Sequence, residues 1–424
     1  MNANLNTQRN TRLNVRRIFI IITTIVLICS LFNGVVNALS MAPSSSYKAN
    51  LENVRAYAAA ATVQGANYAV DAGNLYAGTP TRWRQVQTPA NIIVGAVAVD
   101  RHNAQAVYMG AANEMAIYRS LDGGKAWLRI PLTDEYVGGV TDLAVDSHAR
   151  LLYVGTDTAG IFRLRDVGSS MIVAGHQWLD EPVLEIAADS TGAGLALART
   201  PMSLYRATPG DVKWTAVDNL GSSPAALAIA DATATGMPAT IYVGTTDRGL
   251  LKSVDGLHWT TANAGLGMLP GTRLQVNALA VDPLQPQVLY AATSYLSGSS
   301  TVHISPAGVF VSNNASGNWG LLNQNDQQLV TELLPLSGRT NAVYALTTAS
   351  RTPLALGNAP AAETSLAQVA PATVNTTTGI TLGSFSWLIA ALAALALLYV
   401  LANDLTKRLA AARTLVTHLV YTTR

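Results

Sequence analysis

One pattern recurs along the middle of the chain at a spacing of roughly 40–50 residues. Each copy has an apolar strand that ends in Ala-x-Asp, a second strand of the form Leu-Tyr-x-Gly-Thr, a third strand, a tight turn and usually a Trp. The second strand is clearest at residues 75–79, 152–156, 241–245 and 289–293. Several short strands in every period are typical of a β-propeller, in which each repeat forms one blade.

The number of blades depends on how the two ends of the repeat region pair. A further pair of strands, at residues 329–336 and 342–347, lacks the Trp. Residues 54–63 can pair with those strands and close the ring, which would leave no exposed sheet edge. We therefore predict an all-β, seven-bladed propeller over residues 54–351, or a six-bladed one if these pieces complete the first blade. The repeats carry Trp83, Trp127, Trp178, Trp214, Trp259 and Trp319.

Two further kinds of recurring polar residue are interpreted as structural. The inner strand ends in an Asp that can accept hydrogen bonds from the turn that follows, at Asp100, Asp146, Asp189, Asp231 and Asp282. The third strand carries a basic residue, which we interpret as a solvated strand end rather than as part of an anion-binding ring. These residues are Arg119, Arg163, Arg165, Arg206 and Lys252.

Three of the turns before a Trp share the pattern Ser-x-Asp-x-Gly-x-x-Trp. It is complete at Ser120, Asp122, Gly124 and Trp127. It is one residue shorter at Ser253, Asp255, Gly256 and Trp259. It has Asn in place of Asp at Ser312, Asn314, Gly317 and Trp319. In such a turn the carboxylate or amide accepts backbone N–H groups and the Gly supplies a positive φ, so we predict a structural role for all twelve residues.

These turns resemble the Asp box of neuraminidase-type repeats, and residues 54–356 resemble the Asp-box propeller superfamily. That superfamily includes sialidases, sortilin-type receptors, xyloglucanases and the photosystem II stability/assembly factor family, which the chain resembles most. The resemblance implies a non-catalytic, exported platform that helps to assemble a membrane complex. A membrane span after the propeller departs from the pattern of that family.

Two apolar runs flank the predicted propeller. Residues 18–36 follow a basic tail (1–17) and are typical either of a membrane anchor or of a signal peptide. Residues 380–402 are long enough to span a membrane and precede a basic, amphipathic tail at 403–424. Linkers are predicted at 37–53 and 352–379. Because the basic residues lie outside both runs, we expect both termini in the cytoplasm and the propeller on the periplasmic or extracellular side of a bacterial cell membrane.

Few features of the sequence indicate a catalytic site or a metal or cofactor site. The His residues are dispersed without the spacing of metal ligands, and neither a phosphate-binding loop nor a nucleophile elbow is present, so no metal or cofactor is predicted. Paired carboxylates for glycoside hydrolysis are formally possible, but spacing alone brings no pair together. The few acidic candidates of this kind are Glu114, Glu135, Glu181, Glu185 and Glu332.

Charge narrows the choice of partners. The net charge is +2, but eight of the 27 Lys and Arg residues lie in the two tails, so the part between the apolar runs is mildly acidic. This excludes nucleic acid as the expected partner. We predict a non-enzymatic interaction, assembly or accessory subunit that contacts the membrane and integral membrane proteins. The alternative is a cell-surface protein that binds or hydrolyses glycans, as a sialidase does.

Overall fold

The computed structural model describes residues 47–360 except 49, 61, 63–64, 80–81, 208–212, 299–300 and 324–327. Five further residues are described singly and are helical: Thr24, Leu398, Ala402, Leu405 and Thr406. The propeller forms a compact unit, Ser46–Thr364, and a second unit comprises Met1–Ser45 and Ser365–Arg424. The predicted membrane runs at 18–36 and 380–402, and the tails beyond them, lie otherwise outside the described residues. Among the described residues, no helix is long and apolar enough to cross a membrane.

The propeller has seven blades, each an antiparallel sheet whose strands follow one another from the centre outwards. Blade 1 contains β2 (Val54–Ala58), β3 (Asn67–Asp71), β4 (Asn74–Thr79) and β5 (Arg82–Gln85), with β1 (Tyr47–Lys48) on its outer edge. Blade 2 contains β6 (Val94–Val99), β7 (Val107–Ala111), β8 (Ala116–Ser120) and β9 (Leu128–Pro131). Blade 3 contains β10 (Val140–Asp146), β11 (Leu151–Thr156), β12 (Ile161–Asp166) and β13 (Met171–Gln177).

The remaining four blades complete the ring. Blade 4 contains β14 (Glu185–Ala188), β15 (Ala196–Arg199), β16 (Leu204–Ala207) and β17 (Trp214–Ala216). Blade 5 contains β18 (Pro224–Ala230), β19 (Thr240–Thr245), β20 (Leu250–Ser253) and β21 (Thr260–Thr261). Blade 6 contains β22 (Arg273–Asp282), β23 (Gln285–Ser297), β24 (His303–Ser312) and β25 (Gly320–Asn323). Blade 7 has three strands, β26 (Val330–Pro335), β27 (Ala342–Thr347) and β28 (Leu354–Gly357).

The ring does not close by the strand pairing that we expected. Val54–Ala58 pairs with Asn67–Asp71 as the inner strand of blade 1 and does not join the sheet of blade 7. Residues 75–79, expected as a second strand, therefore form the third strand of that blade. Blades 7 and 1 meet instead through a shared apolar cluster that includes Leu51, Tyr76 and Tyr344. The strands at 47–48 and 354–357 also lie outside the predicted bounds of 54–351.

Neighbouring blades pack so closely that the glycine of the second strand has no space for a side chain. A Cβ on Gly110 would lie 2.4 Å from Cγ1 of Val140, on the inner strand of the next blade. A Cβ on Gly244 would lie 2.8 Å from Val276 in the same relation. The recurring Gly of the Leu-Tyr-x-Gly-Thr motif is thus a requirement of inter-blade packing.

The Tyr of the second strand connects its blade to a turn of the next one. Tyr68 donates a hydrogen bond to the carbonyl of Gly123 (3.4 Å), and Tyr242 to that of Ala315 (3.2 Å). Both acceptors lie in turns of the Ser-x-Asp type described above. These bonds fix the turn of one blade on the sheet of its predecessor.

Two of the basic residues of the third strand are not solvated, in contrast to our expectation, whereas Arg165 is exposed. Arg119 is 6% exposed and Arg163 is 8% exposed. Arg119 pairs with Asp166 of blade 3 (Nη2 to Oδ2, 2.8 Å) and donates to the carbonyl of Gly168 (3.1 Å). The half-buried Arg206 lies against Gly256 of blade 5. Arg119 and Arg206 thus contact the next blade, which a strand pattern alone does not reveal.

Two faces of the propeller follow from the antiparallel strand order. We call the upper face the side at which each inner strand begins, and the lower face the side at which it ends. Connections between blades, and those from second to third strand, lie at the upper face. The turns from first to second strand and from third to fourth strand lie at the lower face, so all three Ser-x-Asp-type turns are there.

Candidate functional site

The complete Ser-x-Asp turn is satisfied by its own hydrogen bonds. Oγ of Ser120 donates to Oδ1 of Asp122 (2.7 Å) and accepts the N–H of Gly124 (2.8 Å). The same Asp122 oxygen accepts the N–H groups of Lys125 (2.9 Å) and Ala126 (3.0 Å). The Ala126 N–H and the Ser120 hydroxyl hold the pKa of Asp122 below its ordinary value. The hydrogen-bond donors to this carboxylate therefore all belong to its own turn.

The second turn has the same arrangement with one residue fewer. Oδ1 of Asp255 accepts the N–H groups of Leu257 and His258, both at 2.8 Å, and Ser253 binds the N–H of Gly256 (2.9 Å). The His258 ring contacts the other carboxylate oxygen at 2.6 Å. The hydrogen bonds from His258 hold the pKa of Asp255 far below its ordinary value.

The third turn differs from our alignment in its glycine. Oγ of Ser312 accepts the N–H of Ser316 (3.0 Å), so Ser316 occupies the place of Gly124 and Gly256. Ser316 has a φ of +66° there, whereas Gly317 is not among the residues of positive φ. The expectation that Gly317 supplies the left-handed position is therefore wrong. Asn314 accepts the N–H of Asn318 (2.9 Å) in the manner of the Asp.

The Trp residues after these turns do not all behave alike. Nε1 of Trp127 donates to the carbonyl of Gln87 (3.0 Å), and that of Trp319 to the carbonyl of Ala262 (2.9 Å), each beside the outer strand of the preceding blade. Trp259 packs against the cluster of blades 4 and 5 without a partner for its buried Nε1 in the described part of the chain. Trp178 follows its strand and is 50% exposed.

Four of the five Asp residues that end inner strands bind their own turns. Asp189, for example, accepts the N–H groups of Thr191, Gly192, Ala193 and Gly194. Asp231 is the exception, because it accepts Ser190 of blade 4 and forms an ion pair with Arg101 of blade 2. Blades 2 and 5 are not neighbours, so this ion pair crosses the lower end of the central channel.

The central channel of the ring contains two adjoining cavities, which we call the upper and lower chambers. Its upper chamber has a volume of about 410 Å³ and its lower chamber about 270 Å³. The two share Tyr57, Leu143, Ile186 and Glu332 in their walls. The lower chamber is lined mainly by Ala, Val and Leu of the inner strands, whereas charged side chains are concentrated in the upper chamber.

A bulge near the start of the inner strand shapes the upper chamber. The register shifts in six blades, at the second residue of the inner strand in five of them, as at Arg55 and Thr141, and at Asn277 in the longer inner strand of blade 6. Bulges of this kind redirect side chains and commonly occur next to functional sites. The residue that follows is Ala in blades 1, 2, 5 and 6. In blades 3 and 7 it is Asp142 and Glu332.

Three carboxylates from three blades line the upper chamber: Asp142, Glu185 and Glu332. Oδ2 of Asp142 accepts the N–H of Ile186 (2.7 Å). Glu185 pairs with Arg199, whose Nε lies 2.7 Å from Oε2. Glu332 has no hydrogen-bond partner among the described residues. Arg55 also lines the chamber, near its opening.

These carboxylates are half-buried in the channel wall, and that environment changes their acidity. Burial raises the pKa of Asp142 to about 7 and that of Glu332 to about 8. The charges of Glu185 and Asp142 raise the pKa of Glu332 further, whereas Arg351 opposes the change. Burial also raises the pKa of Glu185, against the opposing effect of Arg199. Asp142 and Glu332 thus change from protonated to charged at a higher pH than an ordinary carboxyl group does.

Two more polar atoms in the chamber wall lack partners. Oη of Tyr57 and Oγ1 of Thr141 are buried and form no hydrogen bond in the described part of the chain. Neither oxygen atom is accessible from the chamber. The described residues contain no group of three His, Cys, Asp or Glu placed to hold a metal ion. The charged groups that the chamber offers to a ligand are those of Asp142, Glu185 and Glu332, with Arg55 and Arg199.

Sequence reasoning missed Asp142 and did not bring the three carboxylates together. Glu185 and Glu332 were noted only as isolated acidic residues, while Glu114 pairs at the blade edge with Arg129 (2.8 Å). One signal could have revealed part of the cluster. The residue four places before the terminal Asp is Ala in blades 2 and 6 but acidic in blades 3 and 4, at Asp142 and Glu185.

Exposed apolar side chains are more frequent at the upper face, where this chamber opens, than at the lower face. Nine of the large apolar residues that are exposed in the described propeller lie at the upper face, against five at the lower face. The upper-face group is Ile93, Val137, Trp178, Leu184, Met202, Met268, Leu269, Val302 and Ile304. The lower-face group is Leu121, Val167, Val254, Leu257 and Leu284.

Solved structures with the same architecture include enzymes and a peptide-bound propeller. A GH74 xyloglucanase from Xanthomonas campestris has a TM-score of 0.52 at 20% identity, over 72% of this chain and 52% of the xyloglucanase. YCF48 bound to D1 peptide has a TM-score of 0.50 at 13% identity, over 74% of this chain and 96% of that protein. The Niastella koreensis GH74 enzyme has a TM-score of 0.50 at 16% identity, over 70% of this chain and 51% of the enzyme.

The chain thus spans about half the length of the two GH74 enzymes. No protein-family model matches the sequence. No curated protein matches it either. Likeness at 13–20% identity identifies the fold alone. On these comparisons the described chain is an all-β, seven-bladed β-propeller.

Proposed function

We propose that this chain is a non-catalytic Asp-box propeller, exported and tethered to the cell membrane, that serves as an interaction, assembly or accessory subunit of a membrane protein complex. The observation that carries this proposal is the concentration of exposed apolar side chains at the upper face. Apolar patches of this kind on a propeller surface are typical of protein–protein contact.

The loops that present these side chains are held in place by hydrogen bonds. Asn113 accepts the N–H of Ile93 (3.0 Å), and Thr158 donates to the carbonyl of Val137 (2.8 Å). In blade 6, the second and third strands extend at the upper face, and Oη of Tyr295 donates to the carbonyl of Gly267 (2.5 Å), beside Met268. A surface ordered before binding loses less conformational entropy when a partner docks.

The membrane association in this proposal derives from the sequence. Two apolar runs, 18–36 and 380–402, flank the propeller, and basic residues lie beyond each of them. Tethering at both ends would keep the propeller near membrane subunits and raise its effective concentration for them. YCF48, which has the same fold, is known in a complex with a peptide and provides a precedent for a propeller of this architecture that binds protein.

A pair of matched substitutions tests the role of the upper face. Met268 and Val254 are 55% and 56% exposed, on the upper and lower faces respectively. We expect the full-length protein to migrate with a larger membrane complex on native gels. Met268→Glu, combined with Leu269→Glu, should release it from that complex, while Val254→Glu combined with Leu257→Glu should leave it bound. A wild-type protein that migrates alone would refute the proposed function.

The second candidate function is glycan binding or hydrolysis. The observation that favours it is the group of Asp142, Glu185 and Glu332 with Arg199 in one chamber, because carboxylates of raised pKa can serve as general acids. Two of the similar structures are GH74 enzymes. Release of sugar from xyloglucan or a sialylated substrate by the wild type, and its loss in Glu332→Gln, would establish this alternative in place of the first.

A further inference from the structure

The chemistry of the upper chamber suggests what enters it. Three carboxylates face a space of about 410 Å³, and among the described residues only Glu185 forms an ion pair, with Arg199. A water molecule occupies about 30 Å³, so the chamber has room for a long side chain. The carboxylate oxygens of Asp142, Glu185 and Glu332 are the acceptors that the chamber offers to a ligand with several N–H groups.

We propose that the upper chamber binds the guanidinium group of an arginine side chain presented by the protein that docks on the upper face, an inference that rests on the proposed function. A guanidinium carries five N–H donors in one plane. Its donors can reach Asp142 on one wall and Glu332 on another, whereas a single metal ion would need ligands that converge at one point. The apolar residues around the opening suit the carbon stem of such a side chain.

Proton binding should compete with this cation. The titratable and charged groups around Glu332 and Asp142 are Arg55 and Tyr57 of β2, Glu185 of β14, Arg199 of β15, and Arg351 in the connection between β27 and β28. Carboxyls that are protonated near neutral pH attract a cation weakly. As the pH rises through about 7 and about 8, Asp142 and Glu332 become charged and affinity increases. Arginine remains charged throughout that interval.

The test uses two small probes of equal shape. N-acetyl-arginine amide carries the guanidinium, and N-acetyl-citrulline amide replaces it with a neutral urea group. Binding of each to the full-length protein in mild detergent is measured by calorimetry at pH 6 and pH 9. We expect the arginine probe to bind at least about tenfold more tightly than the citrulline probe at pH 9, and this preference to shrink at pH 6.

Two isosteric variants locate the site. Glu332→Gln should weaken binding of the arginine probe about tenfold at pH 9, because it removes one charge-assisted partner. Glu135→Gln removes an exposed carboxylate from a connection at the same face, outside the chamber, and should leave binding unchanged. The pH dependence of the wild type is a second readout that does not depend on the folding of either variant.

Three outcomes would overturn the inference: equal binding of the two probes, binding that is independent of pH, or an equal effect of the two variants. Binding of methyl glucoside or N-acetylneuraminate that is lost in Glu332→Gln, without binding of the arginine probe, would assign the chamber to sugar instead. The proposed function can be refuted independently of the chamber site. A protein that binds the arginine probe as expected but migrates without a complex retains the chamber site and loses the docking role.

Discussion

The carboxylates of the lower-face turns and those of the central channel differ in how their oxygens are used. Asp122 and Asp255 are at the surface, yet backbone N–H groups and a hydroxyl bind them and hold each pKa low. Asp142 and Glu332 are enclosed, but their oxygens have one hydrogen bond between them, and each pKa is raised. Carboxylates that are fully hydrogen-bonded are part of the scaffold. Enclosed carboxylates without partners are free to bind something else.

The largest expected effect comes from removing the partner of a scaffold carboxylate. Arg119→Ala would leave Asp166 without its buried ion pair between blades 2 and 3. We expect the free energy of unfolding to fall by about 2–4 kcal/mol, measured by chemical denaturation. The matched control is Arg129→Ala, whose pair with Glu114 is half exposed and should contribute less than about 1 kcal/mol. Equal losses in the two variants would remove the distinction between buried inter-blade pairs and surface pairs.

Substitution of the channel carboxylate Glu332 should stabilise the fold at high pH, whereas Arg119→Ala destabilises it. The raised pKa of this carboxylate stabilises the fold at low pH, and that stabilisation is lost as the pH rises through the folded-state value of about 8. Glu332→Gln should therefore raise the free energy of unfolding at pH 9 by about 1–3 kcal/mol, a range that allows for screening by channel water. At pH 5 the substitution should have little effect, because Glu332 is already protonated in the folded protein. Destabilisation at pH 9 would contradict this account of the channel.

The smallest effect is expected at the turn. Asp122→Ala removes the acceptor of the Lys125 and Ala126 N–H groups, but water can reach the exposed turn and replace part of the loss. We expect a lower Tm, and a smaller change for Asp122→Asn, which keeps one acceptor oxygen. Because the pKa of Asp122 is lowered, its contribution is present above the ordinary value of 3.8 and is lost only below it. The difference from wild type should thus be the same at pH 5 and pH 9.

Most of the fold could be predicted from the sequence because a blade is specified locally. The apolar inner strand, the Gly of the second strand and the Ser-x-Asp turn each recur within one period, and the structure has seven blades. The predicted strands of blade 1 begin one strand too late, because residues 69–71 have the Ala-x-Asp ending that is typical of an inner strand. Only the pairing of Val54–Ala58 with Asn67–Asp71 corrects that assignment.

The channel site could not be predicted because its members are distant in sequence. Asp142, Glu185 and Glu332 belong to three different blades, and they meet only when the ring closes. Aligned repeats could have indicated the first two, since both lie four residues before the terminal Asp. Glu332 could not be found in this way, because the inner strand of blade 7 ends in Pro335 and has no terminal Asp from which to count.

The most direct test of the difference between turn and channel is the titration of the carboxyl groups themselves. Infrared difference spectra of the full-length protein between pH 5 and pH 9 detect the loss of protonated carboxyl groups. In the wild type we expect a titration with a midpoint near 8, which is the raised pKa of Glu332. This titration should be absent in Glu332→Gln and unchanged in Asp122→Asn. A wild type in which every carboxyl titrates below pH 5 would contradict the account.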